Sequence, residues 1–255
     1  MIKFFRRIRQ QLLTENKFSK YLIYAIGEIL LVVIGILIAL NINNNNEIKK
    51  QRAQELHYLK NIKSDLKMNI THLDEYITTR ETAINSANTI IKHYEGEPIE
   101  DLDAFSFHTI NIYTWRKFFQ INNTFQELTN SGNLALISND SIKSILLNME
   151  TLYKVMKDQE AHFRYDAELL LYAPSYNMMD MNSIVQNYTY KVTNGSMGED
   201  RDLSQQEFDN MLKDNKQKNG FVMAAYEFSA MNSQFRQMKL MCNKLIVLID
   251  HELED

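Results

Sequence analysis

Apolar residues fall into two patterns along this chain. From Tyr21 to Ile42 they run almost unbroken, YLIYAIGEILLVVIGILIALNI. A bilayer core about 30 Å thick needs about 20 such residues at helical rise, so this run predicts one membrane-spanning helix. From Leu56 onward the apolar positions are periodic instead. Ile70, Ile77, Ile84 and Ile91 keep a seven-residue beat, and Leu59, Leu66, Leu73, Ala87 and Tyr94 occupy the position three further on, with Lys63 and Arg80 interrupting the seam. The same beat returns at Ile142, Met149, Met156, Phe163 and Leu170, and again at Phe221, Phe228, Phe235, Cys242 and Ile249. Sustained heptads predict long helices packed in coiled-coil fashion.

Punctuation between these runs is consistent with helices. Glu95-Gly-Glu-Pro98 supplies a stop for the first long helix, and Pro174 one for the second. Ser138-Asn-Asp and Ser204-Gln-Gln-Glu207 have the chemistry of helix starts. A short helix through Phe125 to Asn130 is expected to close at Ser131-Gly132, with Gly132 left-handed. Seven Gly and two Pro leave few chain reversals, which disfavours sheets. The predicted fold class is all-α: a single transmembrane helix followed by an elongated antiparallel helical bundle with coiled-coil-like packing. Its divisions are a basic amphipathic tail at 1–20, the span at 21–42 and a helical domain at 43–255.

Charge orients the span. Residues 1–20 carry Lys3, Arg6, Arg7, Arg9, Lys17 and Lys20 against Glu15 alone, whereas Lys49, Lys50, Arg52 and Lys60 follow the span. The cytoplasmic flank is the one richer in Lys and Arg, so the N-terminus is expected inside and the C-terminal domain outside, in the periplasm of an inner-membrane protein. The run exceeds the apolar core of a cleaved signal peptide and lacks a convincing cleavage site, which favours an uncleaved signal anchor. Ile2, Phe5, Ile8 and Leu12 recur at helical spacing, so Lys3, Arg6, Arg7 and Arg9 are expected at the membrane surface on an interfacial helix. A tail whose charges only set topology is the alternative. The lipid bilayer is the partner these cations imply, rather than nucleic acid.

Glu28 is the costly residue of the span. At about 100° per residue, Gly35 and Ala39 fall within roughly 20° of its direction. Gly35-x-x-x-Ala39 is a small-x-x-x-small pair that permits close helix approach. Glu28, Gly35 and Ala39 are therefore expected to form an association face for a second copy or a partner membrane helix, the carboxyl protonated or hydrogen-bonded across it. A carboxyl tolerated near the headgroups without a partner is the alternative.

The opening ENKFSKYLIYAIGEI, the following VVIGILIALNINN and the segment from Phe125 to Ile137 around Leu128-Thr-Asn-Ser-Gly132 resemble an uncharacterised family of bacterial single-pass membrane proteins common in the Bacteroidota, domain of unknown function six-zero-nine-zero. Where that family usually has a Trp after the span, this chain has Asn45. The resemblance implies a location and an architecture, and brings no activity.

Chemistry is sparse elsewhere. No His has a Glu three residues before it, as a di-iron bundle site requires, and no phosphate loop, dinucleotide glycine pattern or zincin motif occurs. No cofactor is expected. The favoured reading is a non-enzymatic membrane-anchored helical module for partner binding, scaffolding or sensing outside the cytoplasm. The alternative is a bundle enzyme or small-ligand binder with a site in the aromatic segment 105–137, which a pocket of converging polar groups would favour.

Overall fold

A computed structural model describes residues 18–254. Among them no strand occurs, and the helices follow in the order α1 (Phe18–Tyr94), α2 (Leu102–Tyr113), α3 (Asn123–Asn130), a 3-10 turn (Asn133–Leu136), α4 (Asp140–Ala167), a π turn (Glu168–Tyr172), α5 (Ala173–Met178), α6 (Met181–Val192), α7 (Gln205–Met211) and α8 (Asn215–Glu254). The chain divides into two compact units, 1–57 and 58–255.

In the first unit α1 carries the apolar run. It is the one helix among the described residues long and apolar enough to cross a membrane, with a mean hydropathy of 2.6 over its best window and none of that window buried. Leu22, Ile29, Val32, Ile36 and Leu40 are all more than half exposed. A contiguous apolar surface of this length matches the apolar core of a bilayer. The polar stretch after it stays helical, supported by side-chain bonds one turn apart, Asn45 Nδ2 to Asn41 Oδ1 at 3.3 Å and Gln51 Nε2 to Glu47 Oε1 at 3.3 Å.

The second unit is a bundle built on α8. Lys239 Nζ reaches Asp74 at 2.5 Å and Lys63 pairs with Asp250, so α8 runs antiparallel to the later part of α1. Gln159 Nε2 reaches Glu227 at 2.9 Å and Asn139 Nδ2 reaches Glu252 at 2.8 Å, so α8 is antiparallel to α4 as well. The predicted beat on α8 is met in full, with Phe221, Phe228, Phe235, Cys242 and Ile249 buried beside Ala224, Met231, Met238 and Leu245. Each buried Phe contributes roughly 2–3 kcal/mol of apolar transfer.

The phase of α1 differs from the expected one. Its fully buried rows are Leu59, Leu66, Leu73, Arg80 and Ala87 with Ile62, Asn69, Ala83 and Ile90. Ile70, Ile77, Ile84 and Ile91 are half-buried flanks. Lys63 therefore sits on a flank and reaches Asp250, whereas Arg80 lies in the interior.

Pro174 also acts otherwise than as a simple stop. It sits in the first turn of α5, and the helical path continues to Met178. Because Pro has no N–H for the preceding turn, the chain widens there, and Ala173 N–H donates five residues back to Glu168 O. The extra residue shifts the seam by one, so Leu171 rather than Leu170 is buried. The remaining signals are found as expected. Asn139 caps α4 by accepting from Ser141 and Ile142 N–H, Ser204 caps α7, and Gly132 is left-handed at φ 73°.

Candidate functional site

Between α2 and α3 the chain leaves helical geometry for residues 115–122. Side chains alternate as on a strand, with Phe118 buried and Phe119 67 % exposed. A strand without a neighbouring strand leaves its backbone groups to be satisfied by side chains. Here α1 and α4 supply them. Arg80 Nη2 donates to Arg116 O at 2.8 Å, and Tyr76 OH to Lys117 O at 2.8 Å. Phe118 N–H donates to Glu160 at 2.7 Å, and Lys157 Nζ donates to both Phe118 O at 2.9 Å and Glu160 at 2.6 Å. Asn69 takes the place of a strand neighbour, accepting from Ile121 N–H at 2.8 Å and donating to Ile121 O at 2.7 Å. Thr124 N–H closes the series on Asp65 at 3.1 Å. The strap is thus fastened along its length by polar residues projecting from two helices.

Arg80 is the unusual member. Its side chain is 2 % exposed, with the guanidinium carbon 4.5 Å from the centroid of Phe228 and 5.0 Å from that of Trp115. Burial pulls its pKa down to about 10, against the attraction of Glu160. Glu160, buried itself, is taken by Lys157 and the Phe118 N–H. Nε of Arg80 has no hydrogen-bond partner among the described residues.

Beside the strap lies a half-open cleft of about 450 Å³. One wall is a single face of α1, His72, Glu75, Tyr76, Thr79 and Arg80, at the spacing that places residues on one side of a helix. The other is the strap and the start of α3, with Arg116, Phe119, Gln120, Ile121 and Asn123. Arg116 is exposed, and its side chain makes no hydrogen bond or ion pair among the described residues. A second hollow of about 390 Å³, also bounded by Tyr76, Arg116 and Phe119, adds Trp115, Lys117 and Arg164. The setting is cationic and aromatic.

The sequence-predicted residues lie elsewhere. Glu28 is half-buried and makes an interaction of its own. Gly35 and Ala39 are exposed, and a Cβ placed on Gly35 would meet nothing within 4 Å. Lys3, Arg6, Arg7 and Arg9 lie outside the described residues. Within the aromatic segment, Phe105, Phe118 and Phe125 are buried in the core, while Phe107 and Phe119 are exposed.

Sequence reasoning noticed Arg80 as a break in the seam and missed Asn69, Lys157 and Glu160. The signal available for Asn69 and Glu160 was a polar residue at a buried heptad position, whereas Lys157 lies on a half-exposed flank of α4. No group of three His, Cys, Asp or Glu able to hold a metal occurs among the described residues. Ser175 is buried with Tyr113 and Gln217, each 2.6 Å from its Oγ, and no histidine or carboxylate among the described residues hydrogen-bonds to it.

No curated protein and no solved structure matches the chain. A family model described as "Family of unknown function (DUF6090)" matches residues 28–206, a stretch that holds Glu28, Gly35 and Ala39 together with every residue of the strap and the cleft. Since the match covers well over half of the sequence, this chain belongs to that family of unknown function.

Proposed function

We propose that the protein is a membrane-anchored, non-enzymatic helical module for partner binding, scaffolding or sensing outside the cytoplasm. The observation that carries this reading is the long exposed apolar surface of α1 joined to a separately packed helical unit. The Lys and Arg excess in residues 1–20 supports a cytoplasmic N-terminus and a periplasmic C-terminal unit. Glu28, Gly35 and Ala39 support association through the span with a second copy, the exposed small residues permitting backbones to approach closely.

Single cysteines at Gly35, Ala39 and Leu37 test this in a Cys242→Ala background in native membranes. Gly35→Cys and Ala39→Cys are expected to form disulfide-linked dimers. Leu37→Cys, about 200° around the helix from Gly35, is expected to remain monomeric. Monomer at all three positions, or equal crosslinking at all three, contradicts the association face. A second reading, a small-ligand binder, is favoured by the cleft beside the strap, where Arg116, Gln120 and Asn123 of the aromatic segment 105–137 face polar residues of α1.

A further inference from the structure

We infer that the cleft between α1 and the strap is a binding site for a small organic monoanion with a flat apolar body, held by Arg116 over the buried charge of Arg80. The inference rests on the small-ligand reading and specifies what such a ligand must be.

Arg80 is 2 % exposed, and no carboxylate among the described residues forms an ion pair with it. Its contacts are one carbonyl and the faces of two rings. Glu160, the acid that attracts it, is already bound by Lys157 and a backbone N–H. A desolvated cation left in this state projects its field through low-dielectric walls rather than into water. The cleft is where that field emerges, because Arg80 forms part of its wall.

Contact with the ligand falls to Arg116. Its carbonyl is fixed by Arg80 Nη2 at 2.8 Å, so the two residues are tied together, while its exposed side chain has no partner among the described residues. The planar guanidinium fork matches a carboxylate in two parallel hydrogen bonds. Glu75 in the same wall sets the charge of the ligand. Two arginines against one carboxylate leave a net charge of about +1 among these three, which suits one negative group and opposes two. The body of the ligand is set by Phe119, a residue 67 % exposed whose ring has Lys157 Nζ 4.5 Å from its centroid, and by Tyr76 on the facing wall. An exposed ring of this size otherwise costs solvation, and an apolar ligand would cover it.

The test uses the full chain in a zwitterionic detergent, with 4-fluorobenzoate as the probe and its fluorine resonance as the readout. The uncharged 4-fluorobenzamide and protein-free micelles are the comparisons. Saturable broadening of the benzoate signal is expected, with a dissociation constant of about 1 mM or tighter. The benzamide should bind at least about tenfold more weakly. Arg116→Gln should weaken the benzoate by about tenfold or more, as loss of a charged hydrogen bond does. Because that side chain has no structural partner, the variant keeps its fold, which thermal unfolding checks directly. Phe119→Ala should weaken both probes, and Lys154→Gln, at a surface remote in sequence from the cleft, neither.

Equal binding of benzoate and benzamide, or benzoate binding unchanged in Arg116→Gln, overturns the anion site. If benzamide binds equally and Phe119→Ala weakens it, the anion proposal fails while the small-ligand reading stands. If neither probe binds saturably, both fail.

Discussion

At the scale of single residues, this protein uses polar side chains in its interior as fasteners. Asn69 shows the physics most clearly, because one carboxamide satisfies both backbone groups of Ile121 at 2.8 Å and 2.7 Å. Its replacement by Ala orphans a donor and an acceptor in a part-buried place, each a loss of the order of 1–2 kcal/mol. Asn69→Ala is therefore expected to destabilise the folded unit by about 2–4 kcal/mol, read as a lowered denaturation midpoint of the full chain. Thr71→Ala removes only an exposed bond to the Lys67 carbonyl and should change the midpoint little. An Asn69→Ala midpoint equal to that of Thr71→Ala would contradict the fastening role. Asn69, Glu160 and Arg80 were hard to recognise in advance because heptad reasoning treats a polar residue in a seam as a defect. The pattern shows where the interior is, but it does not show that an extended segment lies within reach.

At the scale of elements, the sequence was most legible where one physical constraint dominates. The row Phe221, Phe228, Phe235, Cys242 and Ile249 is buried throughout, because α8 touches its neighbours along one narrow stripe. Caps were legible for the same reason, since an orphan N–H at a helix start accepts few partners. The strap at 115–122 was not, because its extended path is imposed by α1 and α4 and not by local propensity. The π turn escaped notice too, since Pro174 signals a missing N–H without specifying how the chain accommodates it.

That turn has a measurable consequence at Gly220 on α8. A Cβ there would lie 2.7 Å from Leu171 Cδ2 and 3.0 Å from Leu170 Cβ, so the missing side chain lets α8 approach the turn. In an open helix, Gly→Ala stabilises by about 0.5–1 kcal/mol. Here Gly220→Ala is expected to destabilise by about 1–3 kcal/mol through overpacking. A thermal melt decides by its sign, and a raised midpoint would show that α8 does not press on the turn.

At the scale of the whole molecule, the exposed apolar surface of α1 and the packed helical unit make different demands on their surroundings. The first matches lipid and the second an aqueous side, which in the proposed orientation is the periplasm. The legible part was the apolar run, which length and hydropathy single out without tertiary information. Labelling cysteines with a membrane-impermeant maleimide tests the resulting arrangement most directly. Native Cys242 gives little background, since it is buried and its thiol is pushed up to about 12 by burial, and Cys242→Ala removes it altogether. In that background, Glu254→Cys is predicted to label in intact spheroplasts, and Arg9→Cys only after lysis. Labelling of Arg9→Cys before lysis, or of Glu254→Cys only after it, would contradict a cytoplasmic N-terminus and a helical module outside.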